Sequence, residues 1–429
     1  MKPWKQIIAD SQERDYSNVV SRDIAIPLDS GKIVSLIGVR RSGKTNILYS
    51  LIHQLRQTIP TDAIVYINLE DDRLFPLTPH DLGGFLDSYY ELFPHNRDRR
   101  VYFFFDEIQN APEWERFIRR LEDTENCSLF VTGSSAKLLS REIATSLRGR
   151  TISFEVFPLS FSEYLRFRNI KTGHSSRAIS MIKNAFAEYC RTGGFPETVG
   201  VDDLRAQQIL HEYLQMIMYR DVADRHSVGN LFLLKSLIKH CFSNISNPLS
   251  LSKLYNDFRS QGIQLSRNTL FDYISYLEDA YALFLVPVNS SSPREVMRNP
   301  RKLYAIDHGL KSVVELAIGT DIGRIFENIV FLQLRRKGQN ICYGRQKQEI
   351  DFVLPEGQSQ RLINVAYDIS TIETRNRELN GLIEGMQGLG VHEALLLTTD
   401  VEETVTTEAG TISVMPLWRW LIRPLLKQE

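Results

Sequence analysis

Eight consecutive residues, Gly38-Val39-Arg40-Arg41-Ser42-Gly43-Lys44-Thr45, leave little freedom in how the chain around them folds. They match the pattern G-x-x-x-x-G-K-[ST] in full. The five residues before them, Ile33-Val34-Ser35-Leu36-Ile37, form an apolar run of strand length, and Asn46 to Arg56 continue with helical spacing of apolar positions. A strand, a glycine-rich bend and a helix in that order point successive backbone N–H groups at one place. The start of the helix adds its partial positive charge there, which suits phosphate oxygens. In such a loop Lys44 reaches the β and γ phosphates of a nucleotide and Thr45 offers its hydroxyl to Mg²⁺. Gly38, Arg40, Arg41, Ser42, Gly43 and Asn46 supply the rest of the cradle. The alternative, a chance glycine-rich turn, does not account for the strand and helix that flank it. ATP with Mg²⁺ is the expected ligand.

A second pattern supports the first. Val101-Tyr102-Phe103-Phe104-Phe105 is a buried-strand run that delivers Asp106 and Glu107 at its C-terminal end, the edge where open α/β sheets bind ligands. Asp106 is expected to hold the metal, directly or through water, and Glu107 to polarise the attacking water. The plainer reading is a pair of solubilising acids closing a strand. Two more strands are expected, over Ala63 to Leu69 and over Leu129 to Thr132. The second runs into Gly133-Ser134-Ser135, where Ser134 could sense the γ-phosphate, or where either serine could cap a helix beginning at Ala136.

The chain has 429 residues, 43% hydrophobic and 24% charged, enough for two to four domains. Lysine and arginine number 51 against 52 acids, so no overall field steers it toward nucleic acid. Cys127, Cys190, Cys241 and Cys342 lie too far apart for a metal knuckle or a disulfide scaffold, which favours a reducing compartment. The first residues lack an apolar signal core and no stretch is long enough to cross a bilayer; a cytoplasmic protein with no membrane partner is expected. Strand-like and helical patterns alternate over residues 16–160, giving an α/β class with a parallel sheet. Residues 161–229 are mainly helical, residues 230–299 form a small helical unit ending in a hairpin, and residues 300–429 return to mixed strands and helices.

Taken with Thr132-Gly133-Ser134-Ser135-Ala136, Leu147-Arg148-Gly149-Arg150, Gly193-Gly194-Phe195-Pro196, Gly323 to Asn328 and Glu349-Ile350-Asp351-Phe352-Val353, these motifs resemble the AAA-type ATPases that carry a C-terminal domain of nuclease-like fold. The resemblance spans nearly the whole chain. It implies an ATPase core, a helical lid, a winged-helix module and a terminal domain like the PD-(D/E)XK nucleases. It also implies a homo-oligomer, because an arginine from a neighbouring subunit often completes such sites. Arg150 is the favoured position, with Arg220 and Arg225 as rivals and a structural ion pair as the bland alternative.

Two short helical stretches, Leu251 to Arg259 and Ser266 to Leu277, joined by Gly262-Ile263-Gln264-Leu265, have the pattern of a helix-turn-helix. Arg267, Asn268 and Thr269 stand where such helices meet bases. DNA is therefore a candidate partner, against the acids Asp272, Glu278 and Asp279 on the same helix and the option that the module only packs between domains. In the terminal domain a metal-dependent nuclease needs a helix glutamate, a strand aspartate and an acid-x-lysine pair. Glu327 and Asp351 answer to the first two. Asn364 and Ala366 stand where the pair belongs, and an amide and a methyl group cannot do its work. Nuclease turnover is not expected, although Lys347 is close enough in sequence to be considered. Three functions follow: an ATP-driven switch or motor engaging DNA or protein, an ATP-dependent nuclease with a migrated lysine, or a nucleotide-gated binding module without turnover.

Overall fold

Side chains alternate along Val101–Asp106, and the strand's apolar run is explained by what covers each face. Phe104 joins Ile47, Leu48, Leu51 and Ile52 of one helix in a cluster with Val34, Leu36, Ile64 and Phe130. Phe103 and Phe105 face the other way, each 5.4 Å from Phe85, with Phe117 5.6 Å from Phe105. A strand covered on both sides carries no polar alternation, as parallel sheets require. Burying each of these rings contributes roughly 1.5–3 kcal/mol.

The structure is a computed structural model that describes residues 2–134, 149–315, 322–345, 347–356 and 359–426. The chain divides into two units, Met1–Val156 with Asp279–Tyr281, and Phe157–Glu278 with Ala282–Glu429. In the first, strands β1 (Ile33–Ile37), β2 (Ile64–Asn68), β3 (Val101–Asp106), β4 (Cys127–Gly133) and β5 (Thr151–Glu155) form one sheet in the order β2-β3-β4-β1-β5. All four pairings are parallel. Helices α1 (Trp4–Glu13), α2 (Lys44–Leu55), α3 (Asp81–Leu92) and α4 (Trp114–Thr124) belong to this unit. The expected α/β class with a parallel sheet is therefore present. The position of β1 between β4 and β5 brings its C-terminal end, and the loop beyond it, beside the ends of those two strands.

The second unit opens with helices α5 (Phe161–Phe167), α6 (Ser176–Thr192) and α7 (Asp203–Met216), the last running into a π-helical turn, Ile217–Asp224. Then follow α8 (Leu231–Ser243), β6 (Pro248–Leu249), α9 (Leu251–Ser260), α10 (Arg267–Asp279), β7 (Leu283–Val286), α11 (Pro293–Arg298) and β8 (Arg301–Ala305). The three strands form an antiparallel sheet in the order β6-β8-β7. After α12 (Lys311–Val314) and α13 (Ile322–Arg336) comes a mixed six-stranded sheet of β9 (Cys342–Arg345), β10 (Glu349–Glu356), β11 (Ser359–Val365), β12 (Glu393–Thr398), β13 (Glu403–Thr407) and β14 (Gly410–Pro416). Helix α14 (Ile372–Leu389) sits on one face of it through Leu379, Leu382 and Met386, packed with Ile350, Val353, Leu362 and Leu396. Helix α15 (Leu417–Leu426) closes the described chain, and no described helix is long and apolar enough to cross a membrane.

Candidate nucleotide-binding site

The loop after β1 is shaped by what lies behind it. Gly38 has φ +151°, and a Cβ there would lie 2.1 Å from the carbonyl oxygen of Val156, so no side chain fits. Val156 in turn donates its N–H to Ile37 O at 2.7 Å, fixing the end of β1 against the segment that follows β5. Gly43, at φ +96°, is the N-cap of α2. From outside the motif, Arg22 Nη1 donates to Ser42 O at 2.7 Å and ties the N-terminal segment to the loop. The Lys44 side chain is buried, and its Nζ donates to Gly38 O and Val39 O, both at 3.0 Å. Ser42 Oγ is buried with no hydrogen-bond partner.

Strand β3 carries the acid pair to the same edge. Asn68 and Asp106 are in register, and Leu69 N donates to Asp106 O at 3.0 Å. Asp106 Oδ2 accepts from Thr45 Oγ1 at 2.7 Å and from Tyr66 Oη at 2.8 Å, while Oδ1 accepts from Thr132 Oγ1. Burial pushes the Asp106 carboxyl above the usual carboxylate range and Glu107 adds to this; the Thr132, Thr45 and Tyr66 hydroxyls pull it back. Glu107 adopts φ +52°, a left-handed conformation costly for a residue with a side chain. It is held there by its N–H donating to Thr132 Oγ1 at 2.9 Å and by Asn110 Nδ2 donating to its carbonyl at 3.1 Å. Gln109 Nε2 donates to the Glu107 carboxylate and lies 3.5 Å from Ser134 Oγ, so it links the two side chains.

The donor set fits a magnesium nucleotide. Thr45 and Asp106 present hard oxygens in contact with each other, the choice of Mg²⁺. The unpartnered Ser42 hydroxyl and the loop amides lie where phosphate oxygens would find donors. Bound Mg²⁺ would offset negative charge on the phosphates. This chain's own residues supply the ammonium of Lys44, the carboxylates of Asp106 and Glu107, and a hydroxyl, Thr132, that touches the Asp106 carboxylate and the Glu107 main-chain N–H.

Of the other expected residues, Arg40, Arg41 and Asn46 belong to the loop and the first turn of α2, and Arg150 lies apart. Arg40 lies 3.5 Å from Glu70; Arg41, at φ +64°, and Asn46 are exposed. Arg150 precedes β5, and its carbonyl accepts from Ile33 N at the N-terminal end of β1. Five strand residues at about 3.3 Å each separate that edge from the phosphate loop by roughly 16 Å. Arg150 thus faces away from its own chain's site and pairs with Glu122 at 3.1 Å and with Asp123. Of its rivals, Arg220 is exposed on the π-helical turn and Arg225 is half-buried just beyond it. Ser135, Ala136, Leu147 and Arg148 lie outside the described residues. Sequence reasoning gave no role to Thr132, Tyr66, Gln109 or Arg22. The only signal for the first two was a hydroxyl inside an otherwise apolar strand.

In the second unit Glu327 and Asp351 do come together, around Lys302 of β8, to which sequence reasoning gave no role. Its Nζ lies 2.8 Å from Glu327 and 2.9 Å from Asp351. Asn364 Oδ1 accepts from Asp351 N at 3.2 Å, Ala366 packs in the apolar cluster under α14, and Lys347 is exposed. Burial, and after it Asp351, pushes the Glu327 carboxyl up to about 8.

Comparison with known proteins agrees with this geometry. A family model described as an AAA domain matches residues 30–165, and one described only as a domain of unknown function matches residues 183–320. An uncharacterized protein of Methanocaldococcus jannaschii is 35% identical, over 97% of this chain and 94% of its own length. An uncharacterized protein of Haemophilus influenzae is 30% identical, over 81% of this chain and 86% of its own length. The chain belongs to this family of AAA-domain proteins. Among solved structures, the Walker-type ATPase of Pyrococcus abyssi shares 14% identity at a TM-score of 0.45, covering 72% of this chain and 94% of that one. The Aeropyrum pernix ORC1 protein, solved in complex with DNA, shares 12% at 0.32, covering 72% and 89%. The family's AAA domain contains the phosphate loop, the acid pair and Ser134 within one matched segment.

Proposed function

We propose that this AAA-domain protein is a Mg²⁺-dependent ATPase whose turnover drives an oligomeric switch or motor acting on DNA or a protein partner. One observation supports it above the others: Thr132 bonds Asp106 through its hydroxyl hydrogen and Glu107 N through its oxygen, aligning a metal-holding acid and a base at the phosphate loop. A module that merely bound nucleotide would have no use for a glutamate held in a left-handed conformation and oriented by Gln109.

The later domains are read as non-catalytic. Helices α9 and α10 with the β6-β8-β7 sheet have the order of a winged helix. Arg267 and Asn268 are exposed at the start of α10, and the Arg267 guanidinium lies 5.2 Å from the Tyr255 ring centre, a contact that limits its motion. That surface favours DNA as the partner. The terminal sheet with α13 is read as nuclease-like without turnover, since Asn364 is engaged by Asp351 N and the Glu378 carboxylate and Ala366 packs in the core.

Steady-state phosphate release from the purified chain with Mg²⁺ and ATP tests the reading. Lys44→Ala should bind no nucleotide, and Glu107→Gln should bind it with turnover reduced about 10²-fold or more. Wild-type turnover by the Lys44→Ala chain would refute the assignment, and no turnover by wild type would leave the non-enzymatic module in its place.

A further inference from the structure

The terminal domain holds a buried cation of its own. Lys302 and Tyr304 stand two residues apart on β8 and so face the same way, as do Glu349 and Asp351 on β10. The Lys302 side chain is 1% exposed, and its Nζ lies 2.8 Å from Glu327 Oε1, 2.7 Å from Glu349 Oε1 and 2.9 Å from Asp351 Oδ1. An ammonium has three hydrogens to donate, and three carboxylates take them. Neighbouring donors fix the acids: Tyr304 Oη donates to Glu327 Oε1 at 2.6 Å, and Val365 N donates to Asp351 Oδ2 at 2.9 Å.

Three carboxylate oxygens from a helix and a strand converge on one point and are of the type a hard divalent cation takes, although with Lys302 in place no group of three or more His, Cys, Asp or Glu side chains among the described residues is disposed to hold a metal ion. Ca²⁺ takes such oxygens at about 2.3–2.6 Å and Mg²⁺ at about 2.0–2.1 Å. The oxygens around Lys302 would need to close in by only a few tenths of an ångström for the larger ion. An ammonium and a divalent ion cannot share that point, because at contact distance their repulsion inside a protein costs several kcal/mol. With all three N–H groups committed to acids, Lys302 has none left to direct a water molecule at a phosphodiester. The cluster therefore does not serve as a lysine-assisted metal site.

We propose that Lys302 is an internal counter-ion seated at the position of a divalent metal, and that removing its charge converts Glu327, Glu349 and Asp351 into a binding site for Mn²⁺, Ca²⁺ or Mg²⁺. This rests on side-chain geometry alone and is independent of the ATPase reading. Its consequence is that the domain folds without metal and chelators leave it intact.

The test is Mn²⁺ titration of the nucleotide-free, chelator-washed full chain, followed by calorimetry and by the spectrum of bound Mn²⁺. Lys302→Met is expected to bind one Mn²⁺ more than wild type, at least about tenfold tighter than any site in wild type, and to melt higher with the ion. Lys302→Met combined with Asp351→Asn should lose that site, and Lys302→Arg, which keeps the charge, should not gain it. If Lys302→Met does not fold alone, refolding with Ca²⁺ is expected to restore it. A wild-type chain that binds Mn²⁺ in an Asp351-dependent way overturns the proposal. So does a folded Lys302→Met that gains no ion, or one that Ca²⁺ cannot rescue while Lys302→Arg folds.

Discussion

The phenol of Tyr66 donates to Asp106 Oδ2 at 2.8 Å, the same oxygen that Thr45 reaches at 2.7 Å. A metal held by Thr45 and Asp106 must share that oxygen with the phenol or displace it. In Tyr66→Phe the acid loses one of its three hydroxyl donors, and the nucleotide-free chain should lose about 1.5–3 kcal/mol, the contribution of a bond to a charged group. Mg²⁺ with ATP replaces what was lost, so the rise in melting temperature on adding both should be larger in the variant than in wild type. Calorimetry with and without ligand checks this, and an equal rise in both chains would contradict it.

Much of this geometry was legible in the residues because each piece is local. Gly38 to Thr45 needs only its own strand and helix, and Asp106 follows from an apolar run buried on both faces. What was hidden depends on partners far away in sequence. Tyr66 matters because β2 lies beside β3, and Thr132 because β4 lies on the other side, an order that alternating strand and helix patterns do not specify. Lys302 belongs to no motif and lies on β8, a strand of the three-stranded sheet. Its partners Glu327, Glu349 and Asp351 lie 25 to 49 positions on, and no spacing rule joins a strand of one sheet to a helix and a strand of the next. Arg22 precedes every motif and meets the loop only in three dimensions.

The position of Arg150, at the sheet edge opposite its own phosphate loop, leaves it two roles: an ion pair with Glu122 and Asp123, or a finger reaching a neighbour. Arg150→Ala should lower turnover by about 10³-fold or more if it is a finger. The decisive measurement mixes Arg150→Ala with Glu107→Gln chains, each nearly inactive. Some interfaces in the mixture then pair an intact Glu107 with an intact Arg150, and phosphate release should exceed that of either variant. Activity no greater than the sum of the parts would leave only the ion pair, and attention would pass to Arg220 and Arg225.

Gly193, in the Gly-Gly-Phe-Pro motif, is explained within the second unit. It has φ +77°, and a Cβ there would meet Asp307 Oδ1 at 2.0 Å, while Gly194 N donates to Asp307 Oδ2 at 2.7 Å. The motif is a seat for a buried aspartate. Gly193→Ala should destabilise the chain by roughly 3 kcal/mol or more through backbone strain and steric overlap. Gly229→Ala, where a Cβ meets nothing within 4 Å, should cost little by comparison. Denaturant midpoints of the two variants give the comparison; a similar loss in both would remove the seat explanation.

His308, next to that aspartate, gives the fold a pH dependence of known sign. It is buried, its Nε2 is 2.7 Å from Tyr189 O, and Nδ1 has no partner, so the neutral ring donates through Nε2. Protonation would place a second N–H at Nδ1 in a buried position without an acceptor. Burial lowers its pKa below the ordinary 6.5, with Arg336 in the same direction and Asp307 and the Tyr189 carbonyl opposing. A depressed folded pKa means that the unfolded chain takes up a proton the folded chain refuses. Stability from this residue is thus complete above about pH 6.5 and falls as the pH drops toward the folded value, by at most about 1.4 kcal/mol per pH unit. His308→Gln keeps an N–H donor for Tyr189 O and cannot titrate. The stability difference between wild type and His308→Gln should be constant from about pH 7 to 8 and shift against wild type by about pH 5, as read from urea midpoints at each pH. A difference that stays flat across the range would show that His308 is not the group responsible.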